Sequence, residues 1–496
     1  MWSFRRCLNT FSQESLKRWM HHCVRDTIFA LSSGHGKCGV AVIRTSGPAS
    51  QKALHLLTKW QSLPPPRQVK LASILCPISG ELLDRGLVVW FAGPHSFTGE
   101  DCCEYHVHGG PAVVSGVLQA LGSQQMLRPA EPGEFTKRAF QNGKLELTEV
   151  EGLGDLIHAE TEVQRRQALR QMSGDLGQLY QRWSQQLIRA LAHIEAFIDF
   201  SEDDNVEEGV LVAVDEVVEK LRKELEEHLE DNRRGERLRD GVQVVLTGAT
   251  NAGKSSLLNV ISQKPTAIVS SIPGTTRDVV EATLNIGGYP IILSDTAGLR
   301  DSEDPIEREG VRRAKARVGE ADIVVAVIDV SNSLLSQETL LAHLKNLCSS
   351  LQGDGPRSVI VAMNKVDLLS QESIITIEKL CQECELPPVC LLSCHTGAGI
   401  SNFLRILRDH LEAICGDPLQ GGPTITQTRH RHHLTACLDA LGHYNVHRQQ
   451  DLVLSAEELR IAHRQLGAIT GRVSAEEILD IIFSDFCIGK RFEHRL

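Results

Sequence analysis

The sequence predicts a multidomain protein of mixed α+β and α/β class. Its N-terminal domain is α+β, its helical domain is discontinuous, and a P-loop α/β module is inserted between the two helical parts. Three observations predict this. At 496 residues the chain is too long for one compact core. Its hydrophobic period changes near residue 150, again near 241, and reverts after Pro423. Finally, a G-x-x-x-x-G-K-S run, Gly248 to Ser255, directly follows an apolar β-rich run.

The elements follow in chain order. Residues 1–26 carry Arg5, Arg6, Lys17, Arg18 and Arg25 against only Glu14 and Asp26, with Ser, Leu, Trp and Phe interspersed. That is the composition of a mitochondrial presequence, so folded structure is expected from Thr27. Residues 27–145 mix strands ("GVAVIRTSG", "GLVVWFAG") with a helix opening at Pro111. Over 146–240, Leu176, Leu179, Tyr180, Trp183, Leu187, Leu191, Ile194 and Ile198 recur at helical spacing. Val214, Val218, Leu221, Leu225 and Leu229 make a second helical face after the acidic linker "DFSEDDNVEEG". Over 241–415 the runs "VQVVLTG", "IVVAVIDV", "RSVIVAMN" and "VCLLS" suit a parallel sheet covered on both faces. Over 416–490 helical spacing returns (Leu434, Leu438, Leu441; Leu459, Leu466, Ile469; Ile478, Ile481, Ile482). Ser455 with Glu458 and Ser474 with Glu477 read as capping boxes. These last helices are too few for a core of their own, so they are expected to pack on those of 146–240.

Composition narrows the function. A formal charge of −11 is not that of a general nucleic-acid coat, so RNA contact would need a local basic patch or a partner. Arg165, Arg166 and Arg170, Arg233, Arg234, Arg237 and Arg239, and "RHRHH" at 429–433 are the candidate patches. No apolar run approaches the ~18–20 residues that span a bilayer, and no membrane insertion is expected. The fourteen cysteines are scattered, unlike a disulfide framework. Cys381, Cys384, Cys390 and Cys394 fall on a helix end, a buried strand and its turn, which suits small core residues better than zinc ligands.

The P-loop carries the chemistry. Backbone N–H groups from Gly248 through Asn251, Ala252, Gly253 and Ser256 would cradle phosphates at a helix N-terminus. Lys254 would reach the β- and γ-phosphates and Ser255 would ligate Mg²⁺. Asn364-Lys365-Val366-Asp367 follows a strand. The Asp367 carboxylate can accept from the ring N1–H and the exocyclic 2-amino group of guanine, a pair of donors that adenine cannot offer. Ser393 and Cys394 suit the loop against the guanine carbonyl. Asp295-Thr-Ala-Gly298 is placed to watch a γ-phosphate, and Thr275 and Thr276 supply the second switch. No glutamine follows Gly298 to orient water, and chemistry alone leaves Glu303, Glu307 and Glu309 equally eligible.

Taken together, "TGATNAGKSSLLN", "IVSSIPGTTRDV", "DTAGLR…IEREG" and "FCIGK" resemble the tRNA-modification GTPase family MnmE, in its mitochondrial form. "AVIRTSG", "SFTGEDCCEYHVHGGPAVV" and "PGEFTKRAFQNGKLELTEVEGLGDLI" fit the same family. The resemblance runs from about Thr27 to Lys490. It implies a folate-binding, dimerising N-terminal domain, a split helical domain and an inserted Ras-like G domain. The implied activity is GTP hydrolysis coupled to modification of carbon 5 of the wobble uridine of tRNA. A homodimer would act in the mitochondrial matrix with a FAD-dependent partner of the MnmG family and a tetrahydrofolate derivative. Carried over by motif, Asn251 and Thr275 would bind K⁺ with the carbonyls of Ser270 and Ile272, in the place of an arginine finger. Ser255 and Thr276 would hold Mg²⁺, and Glu307 would orient the water. Arg44, Glu104, Lys144 and Lys490 would contact the folate, although by composition each is an ordinary charged residue. Cys487 is a candidate for the one-carbon chemistry, with helix-end packing the alternative.

Two features depart from the family pattern. "RFEHRL" (491–496) follows Lys490, where members stop, and Cys394 replaces the usual alanine. His106 and His108 give too few ligands for a metal. Other readings of the same motifs are a ribosome-assembly GTPase, which would carry an RNA-binding appendix, and a folate-dependent transferase with an inert G domain. Intact Lys254, Asp295 and Asp367 argue against the second.

Overall fold

The computed structural model describes residues 26–200, 209–263, 281–295, 319, 321–331, 337–352, 358–383, 387–472 and 482. Among these, contacts divide the chain into two compact units. One runs through Gly154 and resumes at Thr470; the other is Asp155–Ile469.

The first unit is α+β. Strands β1 (Thr27–Leu31), β2 (Cys38–Ser46), β3 (Val69–Leu75), β4 (Leu82–Phe91), β5 (Cys102–Gly109) and β6 (Leu127–Pro129) form one sheet in the order β3-β4-β5-β2-β1-β6. Alternation along β2, β4 and β5 sends Ile43, Val88, Tyr105 and Val107 to one face. There they pack with Ala53, Leu54 and Leu57 of α1 (Ser50–Thr58) and Val114, Val117 and Leu121 of α2 (Pro111–Gly122). Helix α2 opens at Pro111, as expected, because the missing N–H costs nothing at a first turn. Helix α3 (Glu134–Gln141) follows, and α4 (Leu147–His158) begins in this unit and ends in the second.

The second unit holds helices and a second sheet. Helices α5 (Glu162–Met172), α6 (Asp175–Phe200), α7 (Gly209–Leu229) and α8 (Arg234–Asp240) precede the sheet in sequence. Helices α13 (Thr428–His447) and α14 (Leu452–Thr470) follow it. Leu176, Tyr180, Trp183, Leu187 and Ile194 of α6 share one core with Val214, Val218, Leu221 and Leu225 of α7. Leu434, Leu441, Tyr444, Leu459, Leu466 and Ile469 belong to the same core. Polar contacts reinforce the join. Arg431 donates to the Leu229 carbonyl and to Asp231 and Glu236, and the Tyr444 hydroxyl donates to Asp215 at 2.6 Å. At α14 the expected cap is displaced. The helix begins at Leu452, and the Asp451 carboxylate accepts from the N–H groups of Val453 and Leu454. The Ser455 hydroxyl instead donates back to the Asp451 carbonyl. Ser474 and Glu477 lie outside the described residues.

The second sheet comprises β7 (Val242–Thr247), β8 (Glu281–Ile286), β9 (Tyr289–Asp295), β10 (Ile323–Asp329), β11 (Ser358–Asn364) and β12 (Val389–Leu391), in the order β12-β11-β10-β7-β9-β8. Five strands are parallel, but β8 pairs antiparallel with β9, so the sheet is mixed rather than all-parallel. The cause is local. Gly287 (φ 61°) and Gly288 (φ 96°) form the two-residue turn that a tight hairpin demands. Helices α9 (Lys254–Ser262), α10 (Gln337–Gln352), α11 (Gln371–Glu383) and α12 (Ile400–Cys415) accompany the strands. Phe403, Leu407 and Leu411 of α12 join the sheet's core. No described helix is long and apolar enough to cross a membrane.

Candidate active site

The central strand β7 is buried almost throughout and ends at Thr247. The loop then passes through positive φ at Gly248 (146°), Asn251 (63°) and Gly253 (101°) before α9 opens at Lys254. A side chain at Gly248 would strike the Val327 carbonyl of β10, and one at Gly253 the Asn364 amide, so both positions need glycine for space as well as conformation. Lys254 is almost fully buried, and its ammonium donates to the carbonyls of Gly248 (3.0 Å) and Ala249 (2.9 Å).

Asn364, 2% exposed, joins this loop to the opposite wall. Its Nδ2 donates to the Ala252 carbonyl at 2.9 Å, and its Oδ1 accepts from the Cys394 N–H at 3.1 Å. Lys365 adopts a left-handed backbone (φ 69°), and its ammonium pairs with Asp329, which stands in register with Asn364 across β10 and β11. Burial alone would raise the Asp329 carboxyl; hydrogen bonds from Lys365 and Ser331 bring it below its ordinary value, so it stays ionised. The buried Ser393 hydroxyl accepts from the N–H groups of His395 (3.2 Å) and Thr396 (3.1 Å), fixing the last loop. Burial pushes the Cys394 thiol up to about 11, so it is a neutral packing group. Asp367 is exposed in the turn Val366–Leu368.

These groups enclose a cleft of about 830 Å³. Asn251, Gly253, Lys254, Ser255, Ser256, Asn364, Lys365, Asp367 and Ser393 line it together with Leu368, Cys394 and His395. Its size suits a nucleotide. Gly248 and Ala252 shape the loop from behind, and the β9 backbone brings Asp295 level with Leu246. The sequence reading did not name Leu368 or His395 for the site; their only signal was position, one residue beyond Asp367 and two beyond Ser393. Gly298, Ser270, Ile272, Thr275, Thr276 and Glu307 lie outside the described residues, as do Cys487 and Lys490.

In the first unit, Arg44 and Glu104 face each other across β2 and β5. The guanidinium meets the carboxylate through Nε at 3.0 Å and Nη2 at 2.9 Å, with both side chains 19% exposed. The rings of Phe97 and Phe135 lie 5.3 and 5.6 Å from the guanidinium carbon, and His106 Nε2 is 3.3 Å from the second carboxylate oxygen. The exposed Lys144 lays its stem beside Gly99, two residues from Phe97. Beneath lies a network the sequence reading did not anticipate. Arg138, 7% exposed, binds Glu134 (2.9 Å), Glu100 (3.0 Å) and the Asp26 carbonyl (2.8 Å), and Arg128 also grips Glu134. Burial would raise the Glu134 carboxyl, but the two arginines and the Glu131 N–H hold it below the ordinary value. "SFTGED" and "PGEFTKR" are thus tied to each other.

The basic clusters are largely engaged within the chain. Arg165 and Arg166 pair with Glu162. Arg170 pairs with Asp175 and donates to the carbonyls of Pro418 and Gly421. Arg233, Arg237 and Arg239 pair with Glu236, Asp322 and Asp155.

A strand, a glycine-pinned phosphate loop and an Asn-Lys-x-Asp turn enclosing one cleft define a P-loop protein of the guanine-nucleotide-binding class. The MnmE helical domain family matches residues 147–487, and the family described as GTP-binding protein TrmE N-terminus matches residues 27–144. The mitochondrial 5-taurinomethyluridine-tRNA synthase subunit GTPB3 of Danio rerio is 59% identical, over 94% of this chain and 93% of its own length. The Homo sapiens counterpart is 57% identical with the same coverage. The tRNA modification GTPase MnmE of Parvibaculum lavamentivorans is 46% identical over 94% of this chain and all of its own. The chain belongs to the MnmE (TrmE) family of tRNA modification GTPases.

Proposed function

We propose that this protein is a mitochondrial GTP hydrolase that takes part in building a taurinomethyl-type group on carbon 5 of the wobble uridine of tRNAs. The observation that carries the reading is 57–59% identity, over 94% of the chain, to subunits named for 5-taurinomethyluridine-tRNA synthesis. The nucleotide cleft supports it from the chemical side. Lys254 neutralises the β- and γ-phosphates, Asp367 and the Ser393 loop read guanine, and Ser255 with Thr276 holds Mg²⁺. Asn251 contributes to a K⁺ site with Thr275 and the carbonyls of Ser270 and Ile272, and Glu307 orients the water. Gly253, Ser256, Asp295 and Gly298 complete the phosphate contacts.

In the N-terminal domain, Arg44, Glu104, Lys144 and Lys490 bind a tetrahydrofolate derivative, which supplies a one-carbon unit when bound. The residues present suit such a group: the Phe97 and Phe135 rings flank the Arg44 guanidinium, which is bonded to the Glu104 carboxylate, and an exposed lysine suits a glutamate tail. Cys487 is the candidate thiol. The domains are 27–145, 146–240 with 416–490, and an inserted G domain at 241–415; the common core of α6, α7, α13 and α14 supports the split. The working form is a matrix homodimer partnered by a FAD-dependent protein of the MnmG family.

The test is reconstitution. The full chain, a flavin-dependent partner, methylene-tetrahydrofolate, taurine, GTP and unmodified tRNA are combined, and the wobble nucleoside is read by mass spectrometry. Taurinomethyluridine that requires the chain and GTP supports the reading. GTP turnover with an unmodified nucleoside rejects it.

A further inference from the structure

The part of the nucleotide cleft formed by the Asn-Lys-x-Asp turn relies on a long, flexible side chain. Lys365 lines the cleft beside Asp367 and Leu368, and its side chain is 33% exposed. A lysine stem carries large rotamer freedom, so without an anchor its ammonium would be drawn out into water. The backbone of Lys365 is also left-handed (φ 69°), which is uncommon for a residue with a Cβ and persists only where neighbouring structure imposes it.

That neighbouring structure is the end of β10. The Lys365 ammonium donates to Asp329 Oδ2, on a side chain only 15% exposed. The other carboxylate oxygen has separate work: Oδ1 accepts from the Ser331 N–H at 2.9 Å and from the Ser331 hydroxyl. Main-chain bonds hold both partners. Asp329 stands in register with Asn364, the Val330 N–H donates to the Asn364 carbonyl at 3.2 Å, and the Val366 N–H donates to the Leu392 carbonyl at 3.3 Å. Asp329 is not one of the described residues that line the cleft, so it reaches a ligand through Lys365.

We infer that Asp329 is a positioning residue for guanine nucleotides: by pinning the Lys365 ammonium, it lays the apolar lysine stem along the cleft as a preformed surface for the flat face of the base. The stem is then ordered before the ligand arrives, and binding does not have to meet that entropic cost. Because the contact is to the base, diphosphate and triphosphate benefit alike.

Asp329→Asn tests this directly. An amide has one acceptor oxygen, so it cannot serve both Ser331 and Lys365. The full-length wild type and variant are titrated calorimetrically with GDP and with a non-hydrolysable GTP analogue, and steady-state GTP turnover is measured alongside. Both affinities should fall about three- to tenfold, the freedom of one long side chain. The KM for GTP should rise while kcat holds. In a Lys365→Met background, which keeps a stem but removes the ammonium, Asp329→Asn should cost nothing further. If Asp329→Asn does not fold, Asp329→Ser carries the same expectations. The inference rests on the guanine reading of the cleft, and the two fail differently. A wild-type chain that binds no GDP overturns both. The inference alone is overturned if Asp329→Asn binds within twofold of wild type, if only the triphosphate weakens, if kcat falls with KM unchanged, or if the losses add in the double variant.

Discussion

Asn364 offers the most direct perturbation of the nucleotide cleft, because one side chain holds two loops that lie far apart in sequence. Asn364→Ala removes the hydrogen bond to the Ala252 carbonyl and the one from the Cys394 N–H. Each such bond has a net worth of about 0.5–1.5 kcal/mol, and water entering the cleft would partly satisfy the groups left behind. The combined loss is about 1–3 kcal/mol of nucleotide affinity, or roughly 5- to 150-fold. The β10–β11 register pairs Asp329 with Asn364 through the backbone, so the sheet should keep its melting temperature within a few degrees. Asn364→Asp is the informative companion. It keeps an acceptor for Cys394 but sets a carboxylate against the Ala252 carbonyl, so it should bind at least as badly. Equilibrium titration with a fluorescent GTP analogue reads both variants. If Asn364→Ala binds within twofold of wild type and remains folded, the two loops are not coupled through this side chain and the reasoning is refuted.

Four further outcomes follow, two from the described geometry and two from the proposed catalytic assignments. His228 is buried against Tyr180 and Trp183, and burial depresses its pKa from 6.5 to about 4. The unfolded chain takes up the proton first as pH falls, so the stability is present above pH 6.5 and lost on the way down to 4. By pH 5.5 the loss is about 1.5 kcal/mol, and His228→Phe should flatten that part of the profile in denaturant unfolding at pH 7 and 5.5. Arg138→Met leaves Glu134 and Glu100 without their buried partner and should cost about 3–5 kcal/mol, seen as early melting of the first unit with GTP affinity intact; an unchanged melt would contradict the network. Glu307→Ala should bind GTP normally yet hydrolyse it about a hundredfold or more slowly, while Glu303→Ala and Glu309→Ala cost much less. In single-turnover assays K⁺ should outperform Na⁺ at matched ionic strength, and equal rates would remove the monovalent-cation assignment.

The phosphate loop and the Asn-Lys-x-Asp turn were readable because each depends on local geometry, with glycines where a Cβ has no room and a fixed spacing between strand and helix. The faces of α6 and α7 were readable for a similar reason, since period alone marks a buried stripe. Other features resisted in different ways. The β8–β9 hairpin was announced by Gly287-Gly288 but went unread beside the stronger apolar runs. Ser455 and Glu458 matched a capping pattern, yet Asp451, one turn earlier, offered the better acceptor. The Arg44–Glu104 pair depends on β2–β5 register, which sequence spacing does not reveal. The arginine clusters are candidate patches for RNA contact by charge alone, and sequence hides the carboxylates that pair with them within the chain. Glu162, Asp175, Asp155 and Asp322 already occupy most of them.

The shared core of α6, α7, α13 and α14 has a consequence for how the chain is made. On a ribosome, α6 and α7 emerge long before α13 and α14 exist. At about 5–20 residues per second, the roughly two hundred intervening residues take on the order of ten to forty seconds. Throughout that interval Trp183, Leu187, Val218 and Leu225 present an apolar surface whose natural cover is still unsynthesised. The second sheet can close meanwhile, since all its strands lie within the intervening stretch. A nascent chain stalled near Pro423 should therefore bind guanine nucleotide while its helical stem still recruits chaperones.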